Sequence, residues 1–187
     1  MEAFLTSTLL VTLAEIGDKT QLLSFVLAAR LRQPWAIIAG IFVATLANHT
    51  LAGSFGVWLS TLIPAHWLPW IIGCIFIAFG IWTLVPDKLD EEDTPKNPRF
   101  GAFVTTTIAF FIAEMGDKTQ LATVALGAQY QEVIVAVIIG TTLGMMLANV
   151  PAVLIGQKLA DRLPLTIIRR IAASLFVITG VATIIFG

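Results

Sequence analysis

The stretch that decides the fold is written twice, as LAEIGDKTQL at 13–22 and IAEMGDKTQL at 112–121, with eight of ten positions identical at an offset of 99. Each copy places two acids and a lysine (Glu15, Asp18, Lys19 and Glu114, Asp117, Lys118) inside an otherwise apolar run. The chain around them is 57% hydrophobic and only 12% charged, whereas a soluble domain is about a quarter charged. Runs of this length suit the bilayer, where a spanning helix needs roughly 20 apolar residues. A charged side chain at that depth costs about 2.5–3.5 kcal/mol. Six of them imply a function.

Apolar runs predict an all-α membrane protein of six transmembrane helices, at about 4–28, 34–60, 68–85, 102–126, 132–157 and 166–186. Seven of the eight prolines fall at or between these edges, and all five tryptophans lie near span ends, where their rings settle at headgroup level. With no basic stretch or cleavage site near the N-terminus, the first span is expected to remain as a helix. The repeat extends beyond the motif: LAN recurs at 46–48 and 147–149, as do Gly56/Gly156, Phe76/Phe176 and Gly80/Gly180. The units are therefore 1–85 and 102–187, joined by an acidic linker at 86–101. Three spans per unit turn the second unit over, giving two inverted three-helix repeats. Arg30, Arg32, Lys88, Lys96, Arg99, Lys158, Arg162, Arg169 and Arg170 all fall on one side. The positive-inside rule makes that side cytoplasmic and leaves both termini, with the other loops, outside. A net charge of −1 offers nucleic acid nothing.

On an ideal helix Glu15, Asp18 and Lys19 share a face with Thr8 and Thr12, as Glu114, Asp117 and Lys118 do with Thr107. Thr20 and Thr119 point away from the glutamates on such a helix and are expected to brace a neighbour, with Gln21 and Gln120 completing the motif. Gly17 and Gly116 permit close approach or a local break. Asn48 and Asn149 are matched polar residues that suit either the site or interhelical hydrogen bonding, and Gly140 and Gly144 suit close packing. The plain alternative for each motif is an i,i+4 ion pair, Glu15–Lys19 or Glu114–Lys118, which accounts for neither aspartate.

Carboxylate oxygens fit calcium, magnesium or manganese, whereas zinc and copper favour imidazole and thiolate. His49 and His66 have no counterparts in the repeat and read as satisfied or interfacial; the single Cys74 reads as packing. Nothing resembles a nucleophile–base pair or a cofactor loop, so an enzyme is not expected and no cofactor is implied. Four carboxylates and two ammonium groups sum to −2, which one divalent cation or two protons would neutralise. A low-dielectric site avoids net charge, so competition between cation and protons points to exchange. An exporter of a small organic cation, such as a basic amino acid, and a non-transporting membrane assembly factor are the competing readings.

The doubled Glu-x-Gly-Asp-Lys-Thr pattern, with the six spans and the acidic central loop, resembles the Gdt-one family of membrane proteins over the whole chain. The resemblance implies exchange of manganese or calcium, as transported substrate, for protons. It carries cation binding to Glu15, Asp18, Glu114 and Asp117, with Lys19, Thr20, Lys118 and Thr119 in support. Together with the short N-terminus it favours a bacterial inner-membrane manganese exporter, with a homo-oligomer open.

Overall fold

The computed structural model describes residues 1–86, 101–155 and 164–187, which are helical throughout apart from short connections and contain no strand. Where the sequence predicts one helix over 4–28, the chain forms two, α1 (Glu2–Glu15) and α2 (Lys19–Leu31). The same happens over 102–126, which becomes α5 (Ala102–Glu114) and α6 (Lys118–Gln129). Both breaks fall on the motif glycines, Gly17 at φ 84° and Gly116 at φ 78°. That left-handed conformation costs an ordinary L-residue about 1–2 kcal/mol, so glycine permits the break and the flanking acids inherit it.

The remaining helices are α3 (Pro34–Leu62), α4 (Leu68–Thr83), α7 (Ile134–Ile155, after a 3-10 turn at Gln131–Val133) and α8 (Leu165–Phe186). Pro34 and Pro69 sit in the first turns of α3 and α4, where a missing N–H removes no helical bond. Pro34–Leu62, Gln131–Ile155 and Leu165–Phe186 are long and apolar enough to cross a membrane, and α4 and α5 are shorter apolar helices. With α1, they carry exposed Leu5, Leu9, Phe42, Phe55, Ile108, Ile139 and Ile178 on their outward faces, a surface suited to hydrocarbon. All five tryptophans are exposed as well. Cys74 corrects the sequence reading: it is exposed rather than packed inside. The linker and its acids, with Lys88, Lys96, Arg99, Gly156, Lys158 and Arg162, lie outside the described residues.

Glycines set the helix pairing. Gly140 and Gly144 of α7 press on the carbonyls of Phe4 and Thr8, where a Cβ would stand 2.7 and 2.8 Å away, so α1 runs parallel to α7. In the same way Gly40 abuts the Phe103 carbonyl and Asn48 reaches that of Phe111, so α3 runs parallel to α5. Ser60 meets Gln131 while Gly53 meets Ile134 and Ile138, so α3 and α7 are antiparallel. The α4–α8 pair is antiparallel too, locked by Gly73 against Gly180 and Gly80 against Ala173, with the rings of Phe76 and Phe176 6.2 Å apart.

Two apolar clusters flank the breaks. One joins Leu10 and Ala14 of α1 to Ala122, Ala125 and Leu126 of α6 and to Phe76 and Phe176. The other joins Leu23 and Leu27 of α2 to Ile37, Ile41, Ala109, Phe110 and Val153. Along each broken helix the motif is where one cluster gives way to the other, which leaves the polar residues a pocket between two dry cores.

Candidate cation-binding site

The breaks turn the ends of α1 and α5 and the starts of α2 and α6 toward a common centre. Glu15 and Glu114 are completely buried, Asp18 and Asp117 nearly so. Glu15, Glu114 and Asp117 each bring one carboxylate oxygen within 4.8 Å of the other two, close enough for a single ion to bridge them. Asp18 and Asp117 cap α2 and α6, where the positive end of the helix dipole favours a carboxylate. Asp117 also accepts the backbone N–H of Thr119 at 3.3 Å.

The lysines pair across the two halves, not with the glutamates one turn back. Lys118 Nζ lies 2.6 Å from Asp18 Oδ1 and is almost wholly buried, while Lys19 Nζ lies 3.3 Å from Asp117 Oδ1 with its side chain 21% exposed. Each aspartate is thus neutralised by the lysine of the other copy. Among the described residues the two glutamates have no such partner.

The threonines overturn the ideal-helix expectation. Thr20 donates to Glu15 Oε2 at 2.5 Å, and Thr119, from the other copy, donates to Glu15 Oε1. The glycine break rotates the residues after it, so a side chain that would face away on a continuous helix faces the site. Thr8, Thr12 and Thr107 are not brought in; their hydroxyls bond the carbonyls of Phe4, Thr8 and Phe103 in their own helices.

Gln21 and Gln120 hold the breaks open by accepting the N–H of Gly17 at 2.9 Å and of Gly116 at 2.7 Å. Gln21 then donates to the Ala148 carbonyl, and Gln120 to Asn48 Oδ1. Asn48 donates to the Phe111 carbonyl, whereas Asn149 accepts from Ser24 at 2.8 Å and donates to the Met145 carbonyl. Both asparagines are spent on bonds between or along helices. Ser24 went unnoticed in the sequence, although its match at the offset of 99 with Thr123 was a usable signal. His49 is a further correction, because it is fully buried and among the described residues neither ring nitrogen has a hydrogen-bond partner. His66 is exposed.

The two copies are not in the same state. Glu15 receives two hydroxyls, while among the described residues neither oxygen of Glu114 has a hydrogen-bond partner. A Cβ on Gly17 would stand 2.9 Å from Leu165 Cδ2, whereas among the described residues one on Gly116 would meet nothing within 4 Å.

The chain has recognisable relatives. It matches the family described as "Divalent cation/proton antiporter GDT1" over residues 3–91 and 102–187. A Vibrio cholerae protein named "Putative manganese exporter" is 53% identical over 94% of this chain and 87% of its own length. A GDT1-like protein of Synechocystis is 30% identical over 98% of this chain and 97% of its own. GDT1-like protein 5 of Arabidopsis thaliana is 28% identical over 99% and 96%. No solved structure matches the chain at a significant level. The chain is an integral membrane protein and belongs to the GDT1 family of divalent cation/proton antiporters.

Proposed function

We propose that this chain exports Mn²⁺, and handles Ca²⁺ by the same route, in exchange for protons by alternating access. The observation that carries the reading is the pair of glutamates with no ion-pair partner among the described residues. With Asp18 on Lys118 and Asp117 on Lys19, the remaining charge of −2 rests on Glu15 and Glu114, which with Asp117 converge within 4.8 Å. One divalent cation satisfies that charge, and so do two protons; a buried site that avoids net charge holds one or the other. The donors are carboxylates, with the hydroxyls of Thr20 and Thr119 on Glu15, a set that suits a hard cation.

On this reading residues 1–85 and 102–187 are two inverted three-helix repeats in one membrane domain, with 86–101 as the linker. The parallel pairing of α1 with α7 and of α3 with α5, set against antiparallel α3 and α7, supports the inversion. The distribution of basic residues supports cytoplasmic basic loops and both termini outside, in a bacterial inner membrane. Cation binding is assigned to Glu15, Glu114 and Asp117, with Asp18 holding Lys118 in place.

The test is a proteoliposome loaded with a pH-sensitive dye and given Mn²⁺, then Ca²⁺. Wild type is expected to move protons in response to both, and Glu15→Gln and Asp117→Asn to move none. Folded, inserted wild type that leaves the pH unchanged with either cation sinks the exchange reading and promotes an organic-cation exporter or an assembly factor.

A further inference from the structure

A chain whose two halves carry the same motif should, in a symmetric arrangement, give both copies the same surroundings. Here every asymmetry points the same way. The first break is covered by Leu165 at the start of α8, and among the described residues nothing covers the second. Ile16 is half-buried, while its counterpart Met115 is 57% exposed. Glu15 accepts a hydroxyl on each oxygen, from Thr20 and Thr119, while among the described residues Glu114 accepts none.

The cause lies in the α4–α8 pair. It packs as a unit on one side of the bundle, α8 against α1 and α4 against α6. The equivalent contacts on the other side, α4 against α5 and α8 against α2, have no comparable counterpart among the described residues. Backbone differences do not explain the asymmetry. Both glycines have nearly the same φ, and each N–H is held by the glutamine four residues on. What differs is the cover.

We infer that Leu165 is a positioning residue for the exchange site, acting through Gly17 to keep Glu15 in its two-threonine clamp while Glu114, beneath the open break, is the carboxylate that first meets the ion. The inference rests on the exchange reading and adds an order of events to it. The ion arrives at Glu114 and Asp117, and Glu15 joins once the start of α8 lifts from Gly17. The pair reaches the first copy through α8 on α1 and the second through α4 on α6, but only the first break has an α8 side chain, Leu165, against its glycine.

The consequence is unusual for an apolar side chain that touches no ligand. Binding that must first free Glu15 is weakened by the fraction of molecules in which Glu15 is clamped. Truncating Leu165 should therefore tighten cation binding, whereas a residue with a merely structural role would weaken it or leave it alone. The experiment titrates purified protein in lipid nanodiscs with Mn²⁺ by calorimetry, comparing wild type, Leu165→Ala and the conservative Leu165→Met. A gain in affinity of about fivefold in Leu165→Ala, with Leu165→Met close to wild type, is the expected result. Unchanged or weaker binding in folded Leu165→Ala overturns the inference.

A second readout does not depend on the metal. Spin labels at Ile167→Cys and Gln33→Cys, with Cys74→Ser, report where the start of α8 sits. Leu165→Ala should add a longer-distance population, and an unchanged distribution overturns the inference even where metal binds. If α8 shifts as expected but neither Mn²⁺ nor Ca²⁺ binds wild type, the exchange reading falls and the cover over the first motif stands.

Discussion

Lys118 and Asp18 stand 2.6 Å apart, nitrogen to oxygen, although they belong to different copies of the motif and to opposite halves of the chain. The contact makes each copy incomplete without the other. An ion pair this deeply buried is costly to break, because one charge is left without compensation in a poorly polarisable setting. Lys118→Met or Asp18→Asn alone should destabilise the protein by about 3–5 kcal/mol. The double variant should lose much less than the sum, as read by thermal unfolding in one detergent. Additive losses would show that the pair is not coupled.

Lys19 makes a useful contrast. Its bond to Asp117 is longer, at 3.3 Å, and its side chain is 21% exposed, so water shares the charge. Lys19→Met still leaves the buried Asp117 without its partner, so it should destabilise the protein, but by less than Lys118→Met. A loss as large as that of Lys118→Met would mean that the two cross pairs carry equal weight.

The glycine breaks predict a substitution pattern. Alanine at Gly17 or Gly116 is forced into a left-handed conformation and should cost about 1–2 kcal/mol at either place, with asparagine tolerated better than alanine. Melting temperatures of the four variants check this. Alanine tolerated without loss at both sites would mean that the breaks need no glycine.

Much of this was legible before the fold was known, because burying charge is costly enough that a doubled acidic motif in an apolar run has few explanations. What was not legible followed from the breaks. Helical periodicity placed Thr20 and Thr119 on the wrong face, since 100° per residue holds only while the helix is continuous. A single residue near φ 80° resets the direction of everything after it. The crossed lysine pairs were hidden for another reason: i,i+4 spacing is visible within one segment, whereas the approach of two segments 99 residues apart is decided by packing of Gly40, Gly140 and Gly144. Cys74 and His49 show the limit of hydropathy, which says that a residue lies in a membrane helix and not which way it faces.

Competition for two carboxylates fixes a pH dependence. At high pH both glutamates are free to hold the cation; as pH falls, protons occupy them and the apparent affinity for Mn²⁺ drops. A site releasing two protons per cation gives an affinity that changes about a hundredfold per pH unit in its steepest region, and Glu114→Gln should reduce this to about tenfold. Calorimetric titrations across pH read the slope directly, and an affinity independent of pH would separate proton from cation.

The central claim is that one divalent cation and two protons alternate on Glu15 and Glu114. The direct measurement is the ratio of proton flux to Mn²⁺ flux in the same proteoliposomes, with the membrane potential clamped at several values. The account predicts about two protons per cation, from the charge balance of a buried site, a ratio and rate insensitive to potential, and loss of both fluxes in Glu15→Gln and Glu114→Gln. One proton per cation with net charge movement, or exchange that survives in either variant, would contradict it.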